Sequence, residues 1–431
     1  MSISLQILLC VAVIIVAAKL AGALTARIGL PLVLGELLAG VILGPTVLNI
    51  WGLSWFVPAS PESVSVAVVF KVFAEVGVVL LMFVAGLETD IAMMRSAVAP
   101  AFWAATGGVI LPMVGGCLLS RRFGFTWPEA IFIGTILTAT SVTITAQTLM
   151  NLQQLRSKAG STILGAAVID DVLGLIVLSL VIALTPQITS GVSLSGRALS
   201  LTLGKMLLCL VTLLWWGPPL TRWVFRQAAR LHGHHKEVAT ALILAFLLAF
   251  DAEWLGGMAA ITGAYLAGLF VAATPDHEKV AQEIRPMINS LFGPIFFASI
   301  GLEVNARHLA GGFGFFVLLL LIAIVGKIVG CGAGAFASGF SRRESLVVGV
   351  GMIPRGEVGL ITASLGFAAG LVSQNVYAQV VVLVLMTTLI TPVLLRFAFP
   401  GRPIESTVDS LGVVEIRDVD AMPRLESLAD A

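Results

Sequence analysis

Thirteen apolar runs of roughly twenty residues follow one another along this chain, and that recurrence restricts the fold more than any motif does. They lie near residues 3–24, 31–50, 66–87, 98–119, 128–150, 159–184, 200–223, 237–252, 256–273, 286–303, 313–337, 345–369 and 376–398. A helix needs about 20 apolar residues to cross the hydrocarbon of a bilayer, where every backbone polar group must be paired within the protein. The chain therefore reads as an all-α polytopic membrane protein with about 13 transmembrane helices. The two runs flanking Asp251 and Glu253 are divided only by a short polar turn, so a re-entrant segment is the alternative there. Composition supports the class: 58% of residues are hydrophobic and 11% charged, against about 45–50% and 25% in soluble domains. No large soluble domain is left over, and no basic patch suggests nucleic acid. The first run has no basic region before it and no small-residue cleavage site after it, so it reads as a retained span. Cys10, Cys117, Cys209 and Cys331 sit inside apolar runs at irregular spacing, which favours packing over disulfides or zinc.

Charge placement orients the chain. With 13 spans, one side collects Arg27, Arg95, Arg156, Lys158 and ten further Lys or Arg residues, while the other has only Lys71, Arg121, Arg122, Arg197 and Arg307. The positive-inside rule makes the rich side cytoplasmic, with the N-terminus outside and the C-terminus inside an inner (cell) membrane.

The chain also repeats itself. Phe83, Gly86, Leu87 and Glu88 are echoed by Phe297, Gly301, Leu302 and Glu303, and Gly134 by Gly349, while Leu38, Ala39 and Gly40 reappear as Leu266, Ala267 and Gly268 at a slightly larger offset. The units are spans 2–6 and 9–13. Their first members are seven helices apart, so the units enter the membrane in opposite directions, as inverted-topology repeats. At matching places the fifth span carries Thr138, Thr140, Ser141, Thr143 and Thr145, and the twelfth reads Gly351, Met352, Ile353, Pro354, Arg355, Gly356, Glu357. Proline removes a donor and clashes with the preceding turn, so the twelfth span is expected to break near its middle. Paired interrupted spans point to an ion site, because half-helix ends and unwound carbonyls can hold an ion at mid-depth.

Ionisable groups inside the spans are few and costly, which makes them functional candidates. Asp170 and Asp171 stand side by side in the sixth span and point to transport of protons or cations. Three cations lie within spans: Lys205, Lys327 and Arg355. Lys205 can snorkel to the interface. Lys327, among Gly326, Gly330, Gly332 and Gly334, is expected to find a carboxylate partner among the mid-span aspartates. Arg355 is expected to pair with Glu357 or Glu75 and to hold the broken span. Glu36 and Glu75 either line a pathway or sit solvated near an interface. An intramembrane aspartyl protease needs facing aspartates on different helices, whereas neighbours on one helix point about 100° apart, so the chain does not read as an enzyme. A passive cation channel is the weaker rival to a carrier. His232, His234 and His235 cluster in a basic connection and read as solvated loop residues, with a metal site or pH sensor as the alternative. Residues 401–431 read as a flexible polar tail.

Glu36–Pro45, Phe83–Glu88, Thr138–Thr145, the run Val168–Gly174, the second Gly-Leu-Glu, Lys327 and Met352–Gly359 together resemble the monovalent cation:proton antiporter-2 family, and most of all its NapA-type bacterial sodium/proton antiporters. The resemblance spans about residues 5–398. It implies the sodium/proton antiporter fold, in which inverted repeats bring two broken helices across each other. It further implies a homodimer in which a dimerisation domain (helices 1–3, residues 1–97, and 8–10, residues 237–312) supports an ion-carrying core (helices 4–6, residues 98–184, and 11–13, residues 313–399). Helix 7, within residues 185–236, links the two, and a short cytoplasmic tail spans 400–431. Carried over by motif, Asp171 holds sodium or a proton in alternation, Asp170 pairs with Lys327, and Thr140 and Ser141 mark the crossing of the two broken helices. The activity so implied is exchange of sodium or lithium for protons, with no cofactor. Potassium in place of sodium is the alternative. The large nucleotide-binding domain of the family's glutathione-gated potassium branch has no counterpart in the tail.

Overall fold

The computed structural model describes residues 3–28, 30–53, 55–56, 65–89, 97–184, 196–230, 235–303, 312–368, 370–399, 407–408 and 414–415. Residues 1–398 form one unit and 399–431 another. Within the first unit the described residues are helical: α1 (Ile3–Arg27), α2 (Leu32–Leu43), α3 (Val66–Leu87), α4 (Val98–Arg122), α5 (Trp127–Ile136), α6 (Val142–Asn151), α7 (Lys158–Leu184), α8 (Gly196–Ala229), α9 (Lys236–Trp254), α10 (Ala260–Ala272), α11 (His277–Met287), α12 (Gly293–Leu302), α13 (Phe313–Ala337), α14 (Arg342–Gly351), α15 (Glu357–Ala368) and α16 (Gln374–Ala398). In the second unit, Thr407–Val408 pairs antiparallel with Val414–Glu415, a short ladder within the tail read as flexible.

Six of the described helices are long and apolar enough to cross a membrane alone: α1, α3, α4, α7 (over Lys158–Leu178), α13 and α16. Other apolar runs are shorter because they are interrupted. The fifth divides into α5 and α6 around Leu137–Ser141, and the twelfth into α14 and α15 around Met352–Gly356. The runs around Asp251 form two separate helices, α9 and α10, which pack on each other. An element the apolar count does not separate leads into the tenth run. The amphipathic α11, with Val280 and Ile284 four apart and buried, continues through a π-helical turn, Ile288–Phe292, into α12.

The repeat is visible in helix bounds and in packing. Helices α4 and α5 recur as α13 and α14 with both ends displaced by 215 residues. Their capping boxes recur too, Thr126 with Glu129 and Ser341 with Glu344. Gly134 lies so close to the Met113 carbonyl of α4 that a Cβ would come within 2.4 Å, and Gly349 meets the Ile328 carbonyl of α13 at the same 2.4 Å. The first helices of the two units exchange partners. Gly40 of α2 abuts the Ala298 carbonyl of α12, and Gly268 of α10 abuts the Phe83 carbonyl of α3. Small residues permit these close approaches, which is how helices associate where no hydrophobic drive separates protein from lipid.

Packing sorts the helices into two sets. α1, α2, α3 and α12 share one buried cluster through Ile14, Leu43, Phe70 and Ile295, and α10 joins them on α3. α5, α13, α15 and α16 share another through Phe132, Leu319, Ala363 and Leu383, with α4 against α13 and α7 against α4.

Candidate functional site

Asp170 and Asp171 fall at the middle of α7, and the turn of about 100° between successive helical residues sends them to different neighbours. Asp170 faces α13. Lys327 Nζ lies 3.3 Å from its Oδ1 and 3.4 Å from its Oδ2, with both side chains almost completely buried. The lysine fits because α4 and α13 touch backbone to backbone, a Cβ on Gly107 falling 2.2 Å from the Gly330 carbonyl oxygen. Gly108 leaves room for the ammonium, since a Cβ there would stand 3.4 Å from Nζ. Desolvation of two ions offsets most of their attraction, so the pair fixes geometry more than it adds stability.

Asp171 faces the other way and is only half-buried. Its Oδ2 accepts a hydrogen bond of 3.0 Å from Thr262 Oγ1 on α10. The carboxylate opens on a small cavity walled by Met82, Leu164, Val168 and Ile261, with Thr262 and Tyr265 also on its surface. Tyr265 is buried and donates its own hydroxyl to Thr89 Oγ1 at 3.3 Å. Most of the wall lies toward the start of α7 and the end of α3, the ends that carry Lys158 and Glu88.

The two interrupted spans cross beside this pair. Ser141 N–H donates to the Pro354 carbonyl at 2.8 Å, and Thr145 Oγ1 donates to the Gly351 carbonyl at 2.6 Å. Contacts that advance along one segment and retreat along the other make the crossing antiparallel. A Cβ on Gly356 would fall 2.7 Å from Ser141 Oγ, so glycine is needed there. The break exposes carbonyls at the ends of α5 and α14, where the helix dipole is negative. Arg355, fully buried, answers both: it donates to Leu137 O (2.9 Å), Ile353 O (2.9 Å) and, on α13, Ala323 O (3.0 Å). Its own carbonyl accepts from Thr388 Oγ1 at 2.9 Å. Thr140, in the unwound stretch, keeps a buried hydroxyl without a hydrogen-bonding partner among the described residues.

These positions correct several expectations. Arg355 does not pair with Glu75, which is exposed on α3, because three backbone acceptors already take its fork. The Glu357 side chain lies outside the described residues, as do His232 and His234, whereas His235 contacts Glu283. Glu36 is neither solvated nor alone: Lys19 Nζ stands 3.4 Å from its Oε1 and also donates to the Asn289 carbonyl in the π turn. Lys19 is thus a further cation within an apolar span. Thr262 and Tyr265 escaped sequence reading. Their only mark is polarity in an otherwise apolar helix of thirteen residues. At the surface, Lys279 pairs with Glu237 at 3.0 Å, which raises the lysine's pKa above its usual value. Among the described residues, no cluster of three His, Cys, Asp or Glu suits a resident metal.

Known proteins arrange themselves around the same plan. The profile of the family described as sodium/hydrogen exchanger, transmembrane, matches residues 13–399. The chain is 36% identical to the Na(+)/H(+)-K(+) antiporter GerN of Bacillus cereus, the match covering 91% of this chain and 96% of that one. It is 34% identical to a Na(+)/H(+) antiporter of Enterococcus hirae, over 89% and 96% of the two chains. Among solved structures, the sodium proton antiporter MjNhaP1 of Methanocaldococcus jannaschii superposes with a TM-score of 0.64 at 16% identity, over 91% of this chain and 96% of the other. At that identity the likeness speaks for the fold.

Proposed function

Because the chain belongs to the sodium/hydrogen exchanger family, and is thereby an integral membrane protein, we propose that it exchanges sodium or lithium for protons by alternating access, with Asp171 as the shared site. The observation that carries this reading is the different fate of two adjacent acids. Asp170 is buried against Lys327, whereas Asp171 is half-buried, faces a cavity and accepts a hydrogen bond from Thr262. A carboxylate takes a cation when charged and a proton when neutral, so the two guests compete. If the site changes face only when filled, competition alone produces exchange. The Thr140 hydroxyl adds an oxygen ligand that suits a hard monovalent cation, and Ser141 fixes the crossing through its backbone.

Arg355 and Pro354 hold the broken spans in register, with Glu357 at the start of α15, while the exposed Glu75 takes no part in the ion site. The thirteen spans, the outside N-terminus and the inner-membrane location carry over from the charge asymmetry. The two packing sets support a division into a dimerisation domain and a mobile core moving as an elevator within a homodimer. Lys327 cancels one of the two negative charges, and exchange is electrogenic if the pair opens as sodium binds. Potassium is the second reading, favoured by the printed name of the Bacillus cereus relative.

The test is purified protein in vesicles, with internal pH followed while sodium, lithium or potassium is added. Asp171→Asn should abolish cation-driven proton movement, and normal exchange by that variant removes Asp171 from its role. For Lys327→Gln, an unchanged dependence of rate on membrane potential removes the lysine from the charge count.

A further inference from the structure

The Asp171 cavity lies between the two packing sets. Leu164, Val168 and Asp171 come from α7, which packs on α4, whereas Met82 and Thr262 come from α3 and α10, which pack on each other. Across that seam Thr262 Oγ1 donates to Asp171 Oδ2 at 3.0 Å, and Thr262 is itself 4% exposed. The bond is not a feature of the repeat. In the repeat, positions 262 and 171 correspond to Leu34 and Met386, so the other half of the molecule fills the same two places with apolar side chains.

A hydroxyl carries one proton and two acceptor lone pairs. With the proton turned to Asp171, lone pairs remain, and two oxygens 3.0 Å apart can touch one small cation without either moving far. The cavity has room for about one water-sized guest. We infer that Thr262 is a cation ligand and a specificity-determining residue: it supplies, from the helix set opposite Asp171, an oxygen that coordinates the transported ion while the site faces this cavity. This rests on the exchange reading above. It adds that the site is assembled from both helix sets, so that cation affinity depends on which face the site presents. A conformation that carries α7 away from α10 leaves the ion one ligand short.

The experiment compares wild type, Thr262→Val and Thr262→Ser in vesicles at fixed pH. Valine keeps the shape and removes the oxygen; serine keeps the oxygen and removes a methyl. Thr262→Val should raise the apparent KM for sodium about tenfold, the loss of roughly one good ligand, with the maximal rate little changed, and Thr262→Ser should restore the wild-type KM. The sodium concentration that half-protects the purified protein against heat should rise by the same factor. Should the valine variant not assemble, Thr262→Ala serves the same comparison. An unchanged KM in the variant lacking the oxygen, or serine as impaired as valine, overturns the inference. Asp171→Asn separates the two levels. If it abolishes exchange while Thr262→Val leaves KM unmoved, only the ligand role fails; if it exchanges normally, the shared-site reading fails first.

Discussion

The two halves of the molecule share a skeleton and divide the chemistry. Residues 98–136 and 313–351 have the same helix bounds, the same capping boxes and the same glycine-on-carbonyl contacts. The charges do not follow. Where the first half has Asp170 and Asp171 the second has Leu385 and Met386, and where the second has Lys327 and Arg355 the first has Pro112 and Thr140. Backbone packing therefore constrains both halves alike, while each contributes one sign of charge to a common centre. Acids from α7 and cations from α13 and the α14–α15 break meet only because the halves interlock.

The comparison breaks first where the charge is unique. Arg355→Ala strands three buried carbonyls and should cost roughly 5 kcal/mol or prevent folding, read as thermal unfolding in detergent; near-wild-type stability would show that the crossing holds without it. Lys327→Met leaves Asp170 buried and unpaired, a loss of about 3 kcal/mol, and adding Asp170→Asn should recover most of it. A double variant as unstable as the single one would deny that the pair acts as a unit. Shared features should respond alike. Gly134→Ala and Gly349→Ala each push a methyl into a carbonyl and should each cost about 1–3 kcal/mol, so clearly unequal losses would undo the packing equivalence. The smallest effect belongs to the caps. Ser341→Ala and Thr126→Ala should each lower stability by about 1 kcal/mol. For Ser341 a pH signature sharpens the test, because its backbone and side-chain hydrogen bonds hold the Glu344 carboxyl below the usual range. That contribution is present above the unfolded pKa and fades as pH falls through the lower folded value. The gap between wild type and Ser341→Ala should therefore narrow in acid, and a gap constant from pH 7 to below 4 would contradict the cap.

Much of this was legible because it is written in local chemistry. Apolar length gives the helices, Pro354 between glycines marks one break, and the hydroxyls from Thr138 to Thr145 mark the other. The offset of the two Gly-Leu-Glu stretches is the offset that separates α4 and α5 from α13 and α14. Partner choice was harder. Asp170 and Lys327 are 157 residues apart, and only their rarity within apolar spans brings them together. Arg355 misled, since sequence suggests a carboxylate for every buried cation, whereas unwound helix ends offer carbonyls that no side-chain pattern records. Thr262 stayed hidden for a related reason: threonine is common in apolar helices, where it usually bonds its own preceding turn, as Thr148 and Thr240 do.

The guanidinium at the crossing has one more effect. It stations a permanent positive charge where two negative helix ends converge, a place that would otherwise attract a cation. On the exchange reading, a cation is thereby turned away from the crossing and toward the flank where Asp171 and its cavity stand.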